Sequence, residues 1–307
     1  LGELCELRFH NGDMPPTREE LLYGVRGCSG ILSLLSDRID AEVCEAAGTQ
    51  LKVVSNYAVG YNNIDVAEMR RRGIEIGNTP DVLTDATADI AVALLLAAAR
   101  HFPKSILDVK AGKWRTWEPL GWVGQDLVSD PPKTLGIIGM GRIGEAVARR
   151  MHFGWGMNIV YTARSPKPEV DSQLSAQQVE LSTLLETSDF ISVHVPLSDQ
   201  TRHFIGSAEF AAMKPTAVFV NTARGEVVDQ DALIHALRSN QIFAAGLDVC
   251  TPEPLPADNP IQTLDNCIIL PHIGSATAAT RNAMAERAAR NILAGIQDQP
   301  LPFRIPT

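Results

Sequence analysis

Short apolar runs and stretches with helical spacing take turns along this chain, and the alternation starts twice. Residues 28–36 (Cys-Ser-Gly-Ile-Leu-Ser-Leu-Leu-Ser) and 51–55 (Leu-Lys-Val-Val-Ser) predict buried strands, with patterned helices at 40–47 and 64–72. Strands alternating with helices predict a parallel sheet, because parallel neighbours need a crossover and a helix supplies it. This first unit runs to about residue 80. A helix over 85–102 follows, apolar on several faces, and then a Trp- and Gly-rich stretch from Trp114 to Gly124. Pro131-Pro132 marks a boundary. The rhythm then restarts, with strands predicted at 134–138, 157–162, 190–195, 217–221, 243–248 and 267–270. Six strands fit a complete doubly wound sheet of two halves. One more helix, 277–296, follows that sheet and predicts a return to the first domain.

The expected fold is α/β, with two doubly wound parallel-sheet, Rossmann-like domains and an interdomain cleft suited to a small molecule. Residues 1–98 plus 276–307 form the discontinuous first domain, and 99–275 the inserted one. A length of 307 residues, at roughly 150 per domain, agrees with two.

Composition narrows the partners. Hydrophobic content of 45% and charged content of 21% are ordinary for a globular enzyme, and a net charge of −9 argues against nucleic acid and acidic membrane surfaces. Residues 90–99 are too short an apolar run to span a bilayer and predict a buried helix. Cys5, Cys28, Cys44, Cys250 and Cys267 are odd in number and lack CxxC spacing. They suggest reduced thiols in a cytoplasmic protein, with neither disulfides nor a metal site. The chain opens at Leu1 in mid-element without a recognisable targeting signal, and a strand or helix is expected to precede it.

The sharpest chemical signal is residues 135–144, Leu-Gly-Ile-Ile-Gly-Met-Gly-Arg-Ile-Gly. An apolar run ends in Gly139-x-Gly141-x-x-Gly144, and a helical pattern follows through Ala146, Val147, Ala148 and Met151. Strand, tight turn and helix N-terminus together receive a dinucleotide pyrophosphate. Gly139 permits the turn, Gly141 the approach of phosphate to backbone, and Gly144 close helix–strand packing. An NAD site usually carries an acid about 20 residues further on, at the end of the second strand. Here that strand ends in Ala163-Arg164-Ser165-Pro166-Lys167, and Glu169 and Asp171 come too late. Two cations and a hydroxyl suit a 2′-phosphate, so NADPH is the expected cofactor, with NADH as the alternative.

Three late strands end in ionisable groups. Arg224 follows Val218-Phe-Val-Asn-Thr-Ala, Glu253 lies in a proline-rich loop after Gly246-Leu-Asp-Val, and His272 follows Ile268-Ile-Leu-Pro. Ligands of open α/β sheets bind at that edge. Singly each residue reads as an ordinary surface group; jointly they suit hydride transfer. A hydride reaching a carbonyl carbon makes an alkoxide, and histidine can supply the proton. A carboxylate beside it stabilises the imidazolium, and a guanidinium grips a 2-oxo acid through paired donors. Asp248 is either a cofactor contact or a turn acid. His194 lies inside a predicted strand and His152 in a helix, while His10, His101, His203 and His235 lack such neighbours.

These segments resemble the D-2-hydroxyacid dehydrogenase family, and within it the branch reducing glyoxylate and hydroxypyruvate. The likeness includes 55–65, 78–85, the glycine loop, Asn221-Thr-Ala-Arg-Gly225, Gly246-Leu-Asp-Val249, Pro252-Glu-Pro254 and Pro271-His-Ile-Gly-Ser275. Tyr161-Thr-Ala-Arg164 and Trp114-x-x-Trp117-x-Pro119-Leu120 are similar to the animal-type NADPH-preferring members. The resemblance implies Arg224, Glu253 and His272 as the catalytic trio. It implies Val59, Gly60, Arg224 and Ser275 at the substrate, a small 2-oxo acid. Gly139, Gly141, Arg142, Ile143 and Gly144 would lie along the pyrophosphate, and Arg164, Ser165 and Lys167 would meet the 2′-phosphate. Pro196, Thr222, Asp248 and Gly274 would line the ribose and nicotinamide. Trp117 would reach from a dimer partner, which makes the chain a homodimer joined near residues 100–130. An NAD-linked D-glycerate or phosphoglycerate dehydrogenase, and a dinucleotide-sensing corepressor-like scaffold, remain the alternatives.

Overall fold

The computed structural model describes every residue but Glu3, Pro306 and Thr307, and divides the chain into two compact units. The smaller holds Leu1–Leu83 and Ala276–Thr307; the larger is Thr84–Ser275.

In the smaller unit, α1 (Arg18–Gly24), β1 (Gly30–Ser33), α2 (Ala41–Ala47), β2 (Val53–Asn56), α3 (Val66–Arg71) and β3 (Glu75–Gly77) follow one another. The strands form a three-stranded parallel sheet in the order β1-β2-β3. Side-chain acceptors start the helices: Asp40 receives the Val43 N–H and Asp65 the Glu68 N–H, each satisfying an orphan donor of a first turn. Ile31, Val43, Val54, Met69 and Ile76 make the core.

The larger unit opens with α4 (Thr84–Ala99) and α5 (Phe102–Lys110). The single helix expected over 85–102 is thus two. His101 sits in the left-handed region (φ 52°), and Pro103 begins a new first turn. Nor does the unit boundary fall at residue 98. Helix α4 buries Ala88, Ala91, Leu94, Leu95 and Ala98 in one cluster with Leu135, Ile137, Val218 and Val220 of the second sheet, so it belongs wholly to the larger unit. Past α5, the buried Asp108 carboxylate accepts from Lys104 Nζ (2.9 Å), Lys113 Nζ (2.8 Å) and Trp122 Nε1 (3.0 Å). It thereby holds the stretch after the helix.

The alternation then runs β4 (Thr134–Ile138), α6 (Arg142–Trp155), β5 (Asn158–Thr162), α7 (Pro168–Leu174), β6 (Gln177–Gln178), α8 (Leu181–Thr187), β7 (Phe190–Val193), α9 (Ser207–Ala212), β8 (Val218–Asn221), α10 (Gln230–Arg238), β9 (Ala244–Leu247) and β10 (Cys267–Ile269). The sheet is parallel throughout, in the order β10-β9-β8-β7-β4-β5-β6. It has seven strands rather than six, because the polar Gln177–Gln178 pair adds an edge that no apolar run announces. Alternate residues serve opposite faces, as a strand's two-residue period requires. Leu135, Ile137, Phe190, Val218 and Val220 meet α4 and α6, whereas Ile138, Ile191, Val193, Phe219 and Leu247 meet α8, α9 and α10.

Helix α11 (Ala278–Ile296) returns to the smaller unit. Its fully buried Asn291 donates from Nδ2 to the Asn78 carbonyl (3.1 Å) and accepts the Phe303 N–H at Oδ1 (3.0 Å). Among the described residues no single helix is long and apolar enough to cross a membrane.

Candidate active site

The carboxyl ends of β4, β5, β7, β8, β9 and β10 deliver nearly all the residues singled out in the larger unit. Past β4, Gly139 takes φ 100°, a conformation closed to most side chains, and donates its N–H to the Thr162 carbonyl (2.9 Å). Gly141 is the residue before α6 and offers the helix no side-chain cap. A Cβ built on Gly141 would meet no protein atom within 4 Å, so the backbone at the start of this 14-residue helix has room beside it for a bound group. Arg142 and Ile143 begin that helix, and Gly144 is buried beneath it.

Past β5, Arg164 and Ser165 are exposed and Lys167 is half-buried just before α7. Past β7, the Pro196 carbonyl accepts from Thr201 Oγ1 (2.6 Å). β7 ends at Val193, two residues short of the 190–195 run that the sequence predicts, so His194 lies just beyond the strand and not inside it. Its Nε2 meets Ser192 Oγ at 2.8 Å, and burial pushes its pKa down to about 3, so it stays neutral. Past β8, Thr222 Oγ1 is buried without a hydrogen-bond partner.

The trio assembles from the last three loops. The Glu253 carboxylate receives the Cys250 N–H at Oε1 (2.9 Å) and lies 2.8 Å from His272 Nδ1 at Oε2. Burial alone would raise the Glu253 carboxyl. The bond and charge of His272, the Cys250 N–H and the charge of Arg224 outweigh it and hold the group below the usual carboxylate range. A carboxylate only accepts, so His272 Nδ1 carries a proton and Nε2 is the nitrogen left to exchange one. Stability drawn from this pair is present above the ordinary carboxylate range and lost as pH falls through the lowered value. Urea midpoints of the wild type and Glu253→Gln are therefore expected to differ at neutral pH and converge in acid.

Arg224 is half-buried; its Nη1 donates to the Ala223 carbonyl (2.7 Å), and its own carbonyl accepts from Asn221 Nδ2 (2.8 Å). Burial lowers its pKa against the opposing pull of Glu253 and Glu226. Gly225 allows the next contact: a Cβ there would overlap the Cys250 carbonyl, so the Arg224 and Glu253 loops touch through bare backbone. Burial lifts the neighbouring Cys250 thiol to about 11, which leaves it unreactive at neutral pH.

His272 itself has φ 55°, uncommon for a residue with a side chain. Asp248, 1% exposed, explains how that conformation persists. Its two carboxylate oxygens accept the Ile273 and Gly274 N–H groups, each at 2.7 Å. Of the two readings open for Asp248, the structure shows its carboxylate bound to the histidine loop. Trp117, 79% exposed, lies on the long stretch after α5.

In the smaller unit, Val59 and Gly60 follow β2. Asn78 Nδ2 donates to the Val59 carbonyl and Asn56 Nδ2 to the Gly60 carbonyl, both at 2.8 Å. Those two asparagines were not singled out from sequence, because an amide that fixes a backbone carries no chemical signature of its own.

A helix start without a side-chain cap, with open space beside Gly141, and an orphaned buried hydroxyl at Thr222 on the same sheet edge fit a dinucleotide's phosphates and ribose. Fold and site thus define a dinucleotide-dependent oxidoreductase. The D-isomer specific 2-hydroxyacid dehydrogenase, NAD binding domain, matches residues 92–274. The human glyoxylate reductase/hydroxypyruvate reductase is 47% identical over 98% of this chain and 91% of its own. A Thermus thermophilus protein of solved structure superposes with a TM-score of 0.90 at 44% identity, over 98% of this chain and 93% of its own. The NADPH-dependent glyoxylate/hydroxypyruvate reductase of Sinorhizobium meliloti, solved with NADP and malonate, gives 0.80 at 33% identity, over 92% and 85%. This chain belongs to the D-isomer specific 2-hydroxyacid dehydrogenase family, and its cofactor is a nicotinamide dinucleotide.

Proposed function

We propose that this protein reduces glyoxylate to glycolate and hydroxypyruvate to D-glycerate with NADPH, with His272 as the general acid. The observation that carries the reading is the 2.8 Å pair of His272 with an ionised Glu253 beside Arg224. The bound coenzyme supplies the hydride. His272 gives its proton to the oxygen of the reacting carbonyl, and Glu253 stabilises the imidazolium before transfer and keeps the ring in place. The Arg224 guanidinium orients the keto acid and polarises its carbonyl through paired donors. Gly141, Arg142 and Ile143 face the pyrophosphate, and Arg164, Ser165 and Lys167 the 2′-phosphate.

A side-by-side assay of NADPH and NADH consumption with both keto acids tests this reading. Turnover faster with NADPH supports it; preference for NADH removes the cofactor assignment, and no consumption returns the site to coenzyme sensing. Arg164→Ala is expected to weaken NADPH roughly tenfold or more, the worth of a charge-assisted contact, with NADH little changed. Titration of both coenzymes by fluorescence quenching checks it.

The same reading makes the protein a homodimer joined through residues 100–130. Phe102 (53% exposed), Trp114 (64%), Trp117 (79%) and Leu120 (87%) are exposed large apolar side chains in that segment, which an interface would bury. Sedimentation at twice 33.2 kDa supports it, and a monomer at micromolar concentration overturns it.

A further inference from the structure

The two-residue strand β6 is unexplained by burial, since Gln177 and Gln178 are both exposed. What it does is visible in its register. Tyr161 of β5 pairs with Gln178, and both side chains reach the loop that leaves β5. Gln178 Nε2 donates to the Ala163 carbonyl (2.7 Å), at the loop's first residue. The Lys167 N–H, at its last, donates to Tyr161 Oη (2.9 Å), and Tyr161 is completely buried. Between these anchors stand Arg164 and Ser165, exposed and borne on five residues that belong to no helix or strand. The Gly139 N–H on the Thr162 carbonyl ties the start of the same loop to the glycine turn.

We propose that Tyr161 and Gln178 are positioning residues for coenzyme choice, holding residues 163–167 in the shape that receives the 2′-phosphate. The inference rests on the NADPH reading above. An anion gripped by a loose loop must order that loop on binding, and the ordering offsets the attraction. A loop pinned at both ends by one rung of the sheet has lost that freedom already. The benefit falls on the coenzyme carrying the extra phosphate, because a bare ribose makes no demand on Arg164.

Calorimetric titration of NADPH and NADH against Tyr161→Phe, Gln178→Ala and Arg164→Ala tests the proposal without turnover. Tyr161→Phe removes one hydroxyl from the core, and Gln178→Ala alters an exposed side chain whose loss cannot unfold the sheet. Each is expected to raise the NADPH Kd about three- to tenfold, the worth of one hydrogen bond, with the NADH Kd changing less than twofold. Unchanged NADPH affinity, or equal losses for both coenzymes, overturns the anchoring. If Arg164→Ala alone separates the coenzymes, the anchoring fails and the 2′-phosphate reading stands. If none of the three separates them, both fail.

Discussion

Replacement of His272 by alanine is expected to lower kcat with hydroxypyruvate by about 10²–10⁴-fold, the range of general acid catalysis, while the Kd for NADPH stays within twofold. The split follows from the geometry. His272 stands on the loop after β10 with its ring against Glu253, while the glycine turn proposed to hold the pyrophosphate lies after β4, with three strands between the two in the sheet. Truncating the ring removes the proton donor without touching that turn. It also leaves Glu253 with the burial that raises its carboxyl and without the partner that lowers it, so Glu253 is expected to titrate higher in the variant. Steady-state kinetics and coenzyme titration check the first expectation. Retention of more than a tenth of wild-type kcat would remove His272 from the reaction.

Arg224→Lys is expected to cut kcat/KM for the keto acid roughly 10- to 100-fold with the charge conserved, as loss of charge-assisted hydrogen bonding implies. Lysine keeps the positive charge and the Coulomb pull on Glu253. It loses the planar fork that grips carboxylate and carbonyl together, and the donation by Nη1 to the Ala223 carbonyl that fixes the group's direction. The fall is therefore expected to appear in KM as well as kcat. Kinetics indistinguishable from the wild type would mean that Arg224 supplies only charge.

Much of this architecture is legible before any coordinates. The glycine loop was readable because three demands of different kinds, a turn, an approach and a packing contact, each select the same residue at fixed spacing. The trio was readable because an arginine, a glutamate and a histidine each follow an apolar strand of one sheet. Strand β6 was not readable, for Gln177 and Gln178 have no apolar pattern and their use lies in hydrogen bonds to residues ten or more positions away. The break between α4 and α5 was hidden for another reason. His101 adopts a left-handed conformation that its residue type does not announce, and Pro103 was the local cue. Asp248 shows the same limit. Its type announces a strand-end acid, but its grip on the backbone of residues 273 and 274 depends on loops that meet only in the folded chain.

The missing methyl at position 225 has a consequence for how this active centre can be altered. Any side chain there collides with the carbonyl of Cys250, whose own amide holds the carboxylate paired with the histidine, so a change made beside the arginine would be felt at the acid. Libraries that randomise this position while screening for new substrates should return wild type alone.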